Sequence, residues 1–151
     1  MREATVRDAT LFDLLPMAQM AEAYYAEATQ LHKHTISIDK TMSSLAASVI
    51  ADTACLRLLI VDGKIAGGVW GVIMEMPWSD FKFAQDIILY VKPEYRGYGK
   101  LLISSWESWA SDKGAGEVSL STASGLDTDR TCRLYSRYGY KMVGHSLTKE
   151  L

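Results

Sequence analysis

Cysteine is scarce in this chain. Cys55 and Cys132 are its two cysteines, and no CxxC pair or Cys/His cluster at metal spacing accompanies them. That excludes a disulfide framework and a structural zinc site. Both thiols read as reduced core groups of a cytoplasmic protein. Excess positive charge is also missing: 16 Lys and Arg stand against 18 Asp and Glu, for a net charge of -2. A general nucleic-acid binder, which neutralises phosphates with basic side chains, is not expected. No apolar run approaches the roughly 20 residues that cross a bilayer. The opening Met1-Arg2-Glu3 lacks an apolar signal segment. The expectation is a soluble protein without a membrane partner. Proline occurs three times, and no linker, repeat or low-complexity segment interrupts the chain. With 151 residues, 48% of them hydrophobic, a single domain over residues 1–151 has enough apolar material for one sizeable core.

The residues present alternate between helical and strand periods. Residues 3–8 read as a short strand. Thr10-x-x-Asp13 is a capping-box pattern, and Leu14, Ala18, Ala21, Tyr25 and Ala28 follow at helical spacing. His32 and His34 fall in a polar loop. Asp39 or Thr41 can cap a second helix that buries Met42, Leu45, Val49 and Ile50. The period then shortens. Leu56 to Val61, Asp62-Gly63 and Ile65 to about Met76 make a hairpin, because Asp-Gly accepts positive φ at both turn positions. Gly67, Gly68 and Gly71 on its return strand indicate a bulge or close backbone approach. Residues 83–91 form a central strand, with Asp86, Ile88 and Tyr90 on one face and Ile87, Leu89 and Val91 on the other. A helix with Leu102, Trp106, Trp109 and Ala110 inward ends at Gly114. A short strand around Val118 and Leu120 follows. Asp127 or Thr128 then caps a last helix, Gly139 closes it, and a strand runs from Tyr140 towards Leu147. The predicted order is β-α-α-β-β-β-α-β-α-β, an α/β fold.

The most informative stretch is Val91-Lys92-Pro93-Glu94-Tyr95-Arg96-Gly97-Tyr98-Gly99-Lys100, which joins the central strand to a helix. A helix start presents unpaired N–H groups and a positive dipole end. Gly97 and Gly99 remove side chains from in front of those groups, and Arg96 and Lys100 add charge. A diphosphate is the expected ligand. The stretch is neither a Walker loop nor a full GxGxxG; on composition alone it can equally be a tight turn.

In Val91, Pro93, Arg96, Gly97 and Gly99 the stretch resembles the acetyl-CoA signature of the GNAT family of N-acetyltransferases. Leu101 departs from the small residue of that pattern. The order of elements is similar over nearly the whole chain, and Leu134-Tyr135-Ser136-Arg137-Tyr138-Gly139-Tyr140 resembles the family's closing motif. Thr128 and Thr131 stand where relatives often carry asparagine and alanine. The resemblance implies a GNAT-like acyl-CoA N-acyltransferase fold, a mixed and mostly antiparallel sheet flanked by helices. It implies acetyl-CoA as cosubstrate and direct attack by a primary amine in a ternary complex.

Several residue roles follow from the resemblance. Tyr135 is the acid for the CoA thiolate. Asp86 is the base, with Glu75 as runner-up. A backbone N–H near Leu89 or Tyr90 donates to the oxyanion, and Leu89, Tyr90 and Val91 pair with the pantetheine amides. Arg96, Gly97, Tyr98, Gly99, Lys100 and Leu101 surround the diphosphate, and Thr128 and Thr131 flank the cofactor arm. The acceptor is a small-molecule or protein amine, and a homodimer is common in such relatives. A non-catalytic CoA-binding module is the competing reading. Arg130, Arg133 and Arg137 lie on one side of the last helix, where they can meet a phosphate or simply face water.

Overall fold

A computed structural model describes residues 2–122 and 124–151. The strands are β1 (Ala4–Asp8), β2 (Ala54–Val61), β3 (Lys64–Glu75), β4 (Lys82–Val91) and β5 (Glu117–Ser119). The helices are α1 (Leu14–Glu27), α2 (Ile38–Ile50), α3 (Gly99–Asp112) and α4 (Thr128–Arg137). The strands form one sheet in the order β1-β2-β3-β4-β5. The first four pair antiparallel and β5 joins β4 in parallel.

Local chemistry sets most of these boundaries. Thr10 and Asp13 form the capping box, on a single 3-10 turn that leads into α1. Asp62 and Gly63 take φ of 49° and 75°, the positive pair that a tight β2–β3 hairpin requires. Gly114 closes α3 at φ 81° and Gly139 closes α4 at φ 89°. The cap of α2 is neither Asp39 nor Thr41 but Ser37, whose hydroxyl accepts from the Lys40 N–H at 3.2 Å. Leu45 is the buried residue of α2, whereas Ile50, expected inside, is exposed at its last turn.

Two apolar layers cover the sheet. Cys55, Leu59, Val69, Ala84, Leu102, Trp106 and Trp109 pack between the sheet and α3. Met17, Leu45 and Leu58 form the opposite layer beneath α1 and α2. Fully burying one large apolar side chain contributes about 1.5–3 kcal/mol, so these layers dominate stabilisation. Cys55 is a core thiol as expected, and burial pushes its pKa up to about 12. Cys132 is not in the core: it is half-buried on α4.

Two larger expectations also fail. Among the described residues no strand follows α4. The Tyr140 hydroxyl donates to Glu107 of α3 at 3.1 Å and its N–H to the Tyr135 carbonyl, which tucks that residue inward. Beyond it Val143 and Leu147 are almost fully exposed. A strand needs a paired backbone, and apolar content alone does not supply one.

The second failure concerns β4. Its register against β3 shifts between Trp70 and Gly71: Trp70 pairs Ile88, but Gly71 pairs Asp86, which leaves Ile87 as an extra residue. Such a bulge reverses the alternation of faces. Asp86 therefore shares a face with Ala84, Leu89 and Val91, on the α3 side, while Ile88 and Tyr90 face α1 and α2. The expected pairing of Asp86 with Tyr90 on one face does not occur.

Candidate active site

The bulge and the short β5 together open a cavity. β5 pairs with β4 only along Phe83, Ala84 and Gln85. Past Gln85 the far edge of β4 has no strand partner among the described residues. Lys92 donates its N–H to the Ala66 carbonyl on the β3 side. Antiparallel alternation then turns the N–H and C=O of Tyr90 to β3, and those of Leu89 and Val91 to the open edge. Of the two backbone donors expected, Leu89 rather than Tyr90 is the one available.

That edge lines a cavity of about 780 Å³, together with the opening turn of α3, residues Ser121, Thr122, Ser124, Leu126 and Asp127, and one face of α4. Arg96, Gly97, Gly99 and Lys100 line it from the turn. Gly97 holds φ 117°, and the position of a Cβ on it meets no atom within 4 Å, so the backbone there is open to a ligand. Tyr98, at the N-cap of α3, packs on the core instead, and Leu101 points outward with 39% exposure. Neither lines the cavity.

Asp86 from β4 and Tyr135 from α4 both line the cavity. Asp86 is one of two buried charged side chains among the described residues. Burial pushes its carboxyl up to about 6, opposed by hydrogen bonds from the Ser121 N–H, the Gln85 amide and its own N–H. The Gln85 amide donates to Asp86 Oδ1 at 2.9 Å. Burial, aided by the Asp86 charge, pushes the Tyr135 phenol up to about 12. At neutral pH the site thus pairs a largely ionised carboxylate with a phenol that keeps its proton. The structure supplies the apolar setting that separates these two groups.

Other sequence candidates fall on both sides of the line. Thr131 lines the cavity and its hydroxyl donates to the Leu126 carbonyl at 3.3 Å. Thr128 opens α4 but lies outside the lining. Glu75 ends β3 opposite Lys82, exposed and away from the cavity. Arg130, Arg133 and Arg137 all reach the lining. His32 and His34 lie outside the lining: the His32 ring nitrogen is 2.9 Å from the Tyr25 carbonyl, and the Tyr25 hydroxyl donates to the His34 backbone carbonyl.

Four participants were not read from the sequence. Tyr24 reaches the cavity from α1, and Ser121 and Ser124 reach it from the loop after β5. Glu27, the last residue of α1, accepts from the Tyr90 hydroxyl at one oxygen and from Arg96 at the other, at 2.8 Å. A tyrosine one position before Tyr25 offers no signal beyond helical phase, and Glu27 lies 69 residues from Arg96.

A model of the acetyltransferase (GNAT) family matches residues 17–140. The chain belongs to the GNAT acetyltransferase family. Solved structures agree with that membership in fold. The BH1408 protein from Bacillus halodurans superimposes with a TM-score of 0.79 at 18% identity, over 97% of this chain and 98% of that one. A GCN5-related N-acetyltransferase from Ralstonia eutropha JMP134 gives 0.73 at 20% identity, over 100% and 99%. AAC(6')-Iy, solved with the bisubstrate analogue CoA-S-monomethyl-acetylneamine, gives 0.78 at 15% identity, over 99% and 98%. No curated protein matches the sequence. The mixed sheet with flanking helices is thus the GNAT architecture, as the glycine turn and closing motif implied.

Proposed function

We propose that this chain transfers the acetyl group of acetyl-CoA to a primary amine, by direct attack in a ternary complex. One observation carries this reading. A single cavity gathers the bare turn of α3, the unpaired edge of β4, a carboxylate raised to about 6 and a protonated phenol. Acetyl-CoA supplies an activated acyl carbon and a thiolate leaving group. The residues present fit it, since Gly97 and Gly99 leave the turn open and Arg96 and Lys100 supply positive charge beside it.

Each remaining task falls to a group of this chain. Asp86 takes the proton of the incoming ammonium, directly or through water; its raised pKa keeps it basic enough near neutrality. The Leu89 N–H, turned to the open edge, donates to the developing oxyanion. Leu89 and Val91 together offer the edge that amides of an extended ligand can join as an added strand. Tyr135 donates its phenolic proton to the departing thiolate. Glu75, outside the lining, is set aside as the base. A small-molecule amine is the favoured acceptor class, in keeping with the acetylneamine moiety in the analogue bound to AAC(6')-Iy.

The test pairs binding with turnover. Thermal denaturation with CoA, ATP and NAD should show stabilisation by CoA alone, because a ligand of the native state raises the apparent melting temperature. Acetyl-CoA with a panel of small amines and basic peptides should then release free thiol. Stabilisation without thiol release across the panel would convert the reading to a non-catalytic CoA-binding module. Absence of stabilisation by CoA would overturn it.

A further inference from the structure

Glu27 is the point at which α1 and the glycine turn meet. It ends α1, where the helix dipole disfavours a negative side chain that lacks a cation. Both carboxylate oxygens are engaged: Oε1 accepts from Arg96 Nη2 at 2.8 Å, and Oε2 accepts from the Tyr90 hydroxyl. Arg96 immediately precedes Gly97, the residue at φ 117°. Tyr90 lies between Leu89 and Val91, whose backbone faces the cavity. Tyr90 also meets Tyr24 edge-on, with ring centroids 5.5 Å apart. One side chain therefore holds the strand edge and the glycine turn in a common frame against α1.

We propose that Glu27 is a positioning residue that acts through Arg96 to hold the turn in its ligand-ready shape, and so sets the affinity for CoA. The inference rests on the acetyl-CoA reading above. Two physical effects of removing Glu27 oppose each other. Loss of a negative charge beside a diphosphate site strengthens anion binding. Loss of the Arg96 anchor releases the turn and weakens it. If positioning governs, the second effect wins.

The experiment is a double-mutant cycle on CoA affinity, measured by calorimetry on Glu27→Ala, Arg96→Ala and the double variant. Thermal denaturation confirms that each is folded. Glu27→Ala should weaken CoA binding about tenfold, as for directly contacting pairs, and should add little once Arg96 is already alanine. In turnover the change should fall on the acetyl-CoA KM rather than on kcat. Glu27→Gln, which keeps one acceptor oxygen for Arg96 and turns an amide donor to the Tyr90 hydroxyl oxygen but lacks the charge, should recover part of the loss. Tighter or unchanged CoA binding in Glu27→Ala overturns the inference, as does an undiminished effect in the Arg96→Ala background. A wild-type chain that binds no CoA refutes the functional reading itself, which separates the two failures.

Discussion

The indole of Trp106 fills the space in front of Gly71. A Cβ on Gly71 would stand 2.3 Å from Trp106 Cη2, 2.4 Å from Cζ3 and 2.9 Å from the Gln85 carbonyl oxygen. Trp106 is fully buried and stacks on Trp109 at 5.5 Å between centroids, so the ring cannot step aside. Gly71→Ala should therefore cost about 1–3 kcal/mol by overpacking, read as a lower midpoint in urea denaturation. Gly99→Ala is the contrast: its Cβ would meet only Val91 Cγ2, at 3.9 Å, and stability should hold. Equal stability of the two variants would refute the packing account.

Asp86 should leave its mark on the pH profile. If it is the base, the transfer rate climbs as pH rises through about 6 and levels off above. Asp86→Asn should lower kcat roughly 10²- to 10⁴-fold and remove that limb. Stability runs the other way. A carboxyl raised from 3.8 to about 6 favours the folded state below 3.8, and that contribution is lost as pH rises through about 6. At neutral pH the asparagine variant should melt higher than the wild type. A rate limb that survives in Asp86→Asn would assign the proton to another group.

Tyr135→Phe should reduce turnover by roughly 10²-fold or more while leaving CoA affinity nearly intact. Because the phenol stays protonated up to about 12, it adds no falling limb between pH 6 and 9. Unchanged turnover would remove Tyr135 as the acid.

Gly97→Val should abolish stabilisation by CoA. A β-branched residue does not adopt φ 117° without strain, so the turn must rearrange. Retention of CoA stabilisation would place the diphosphate elsewhere.

Asp13 should govern acid stability far from the cavity. Its oxygens accept from Arg7 at 2.8 Å and 2.9 Å and from the Thr10 N–H at 2.8 Å. The Arg7 hydrogen bond holds its carboxyl well below the usual range. The stability it contributes is present above the ordinary carboxylate pKa and is lost as pH falls towards the folded value. Asp13→Ala should cost roughly 1.5–3 kcal/mol at neutral pH, and the gap to wild type should narrow in strong acid. A gap that stays constant with pH would mean the loss is one of packing.

The parts of the fold that were legible in advance are those written in local chemistry. Thr10 and Asp13 capping a turn, Asp62-Gly63 reversing the chain, and Trp106 and Trp109 sharing a helical face each depend on neighbours a few residues away. The glycine turn and the closing Tyr135 motif were legible for the same reason. The α2 cap was misplaced because Ser37, Asp39 and Thr41 are all competent caps, and backbone geometry chooses among them.

By itself, then, the sequence determined the element types as far as α4, the glycine turn ahead of α3 and the family. Tertiary structure alone decided which groups share the cavity. The slip at Ile87 reverses the faces of β4 and separates Asp86 from Tyr90. The three-residue pairing of β5 leaves the Leu89 and Val91 edge open. Folding brings Glu27 to Arg96 across 69 residues. Strand register and long-range ion pairs are set by the free energy of the packed whole, and no short window of residues encodes that sum.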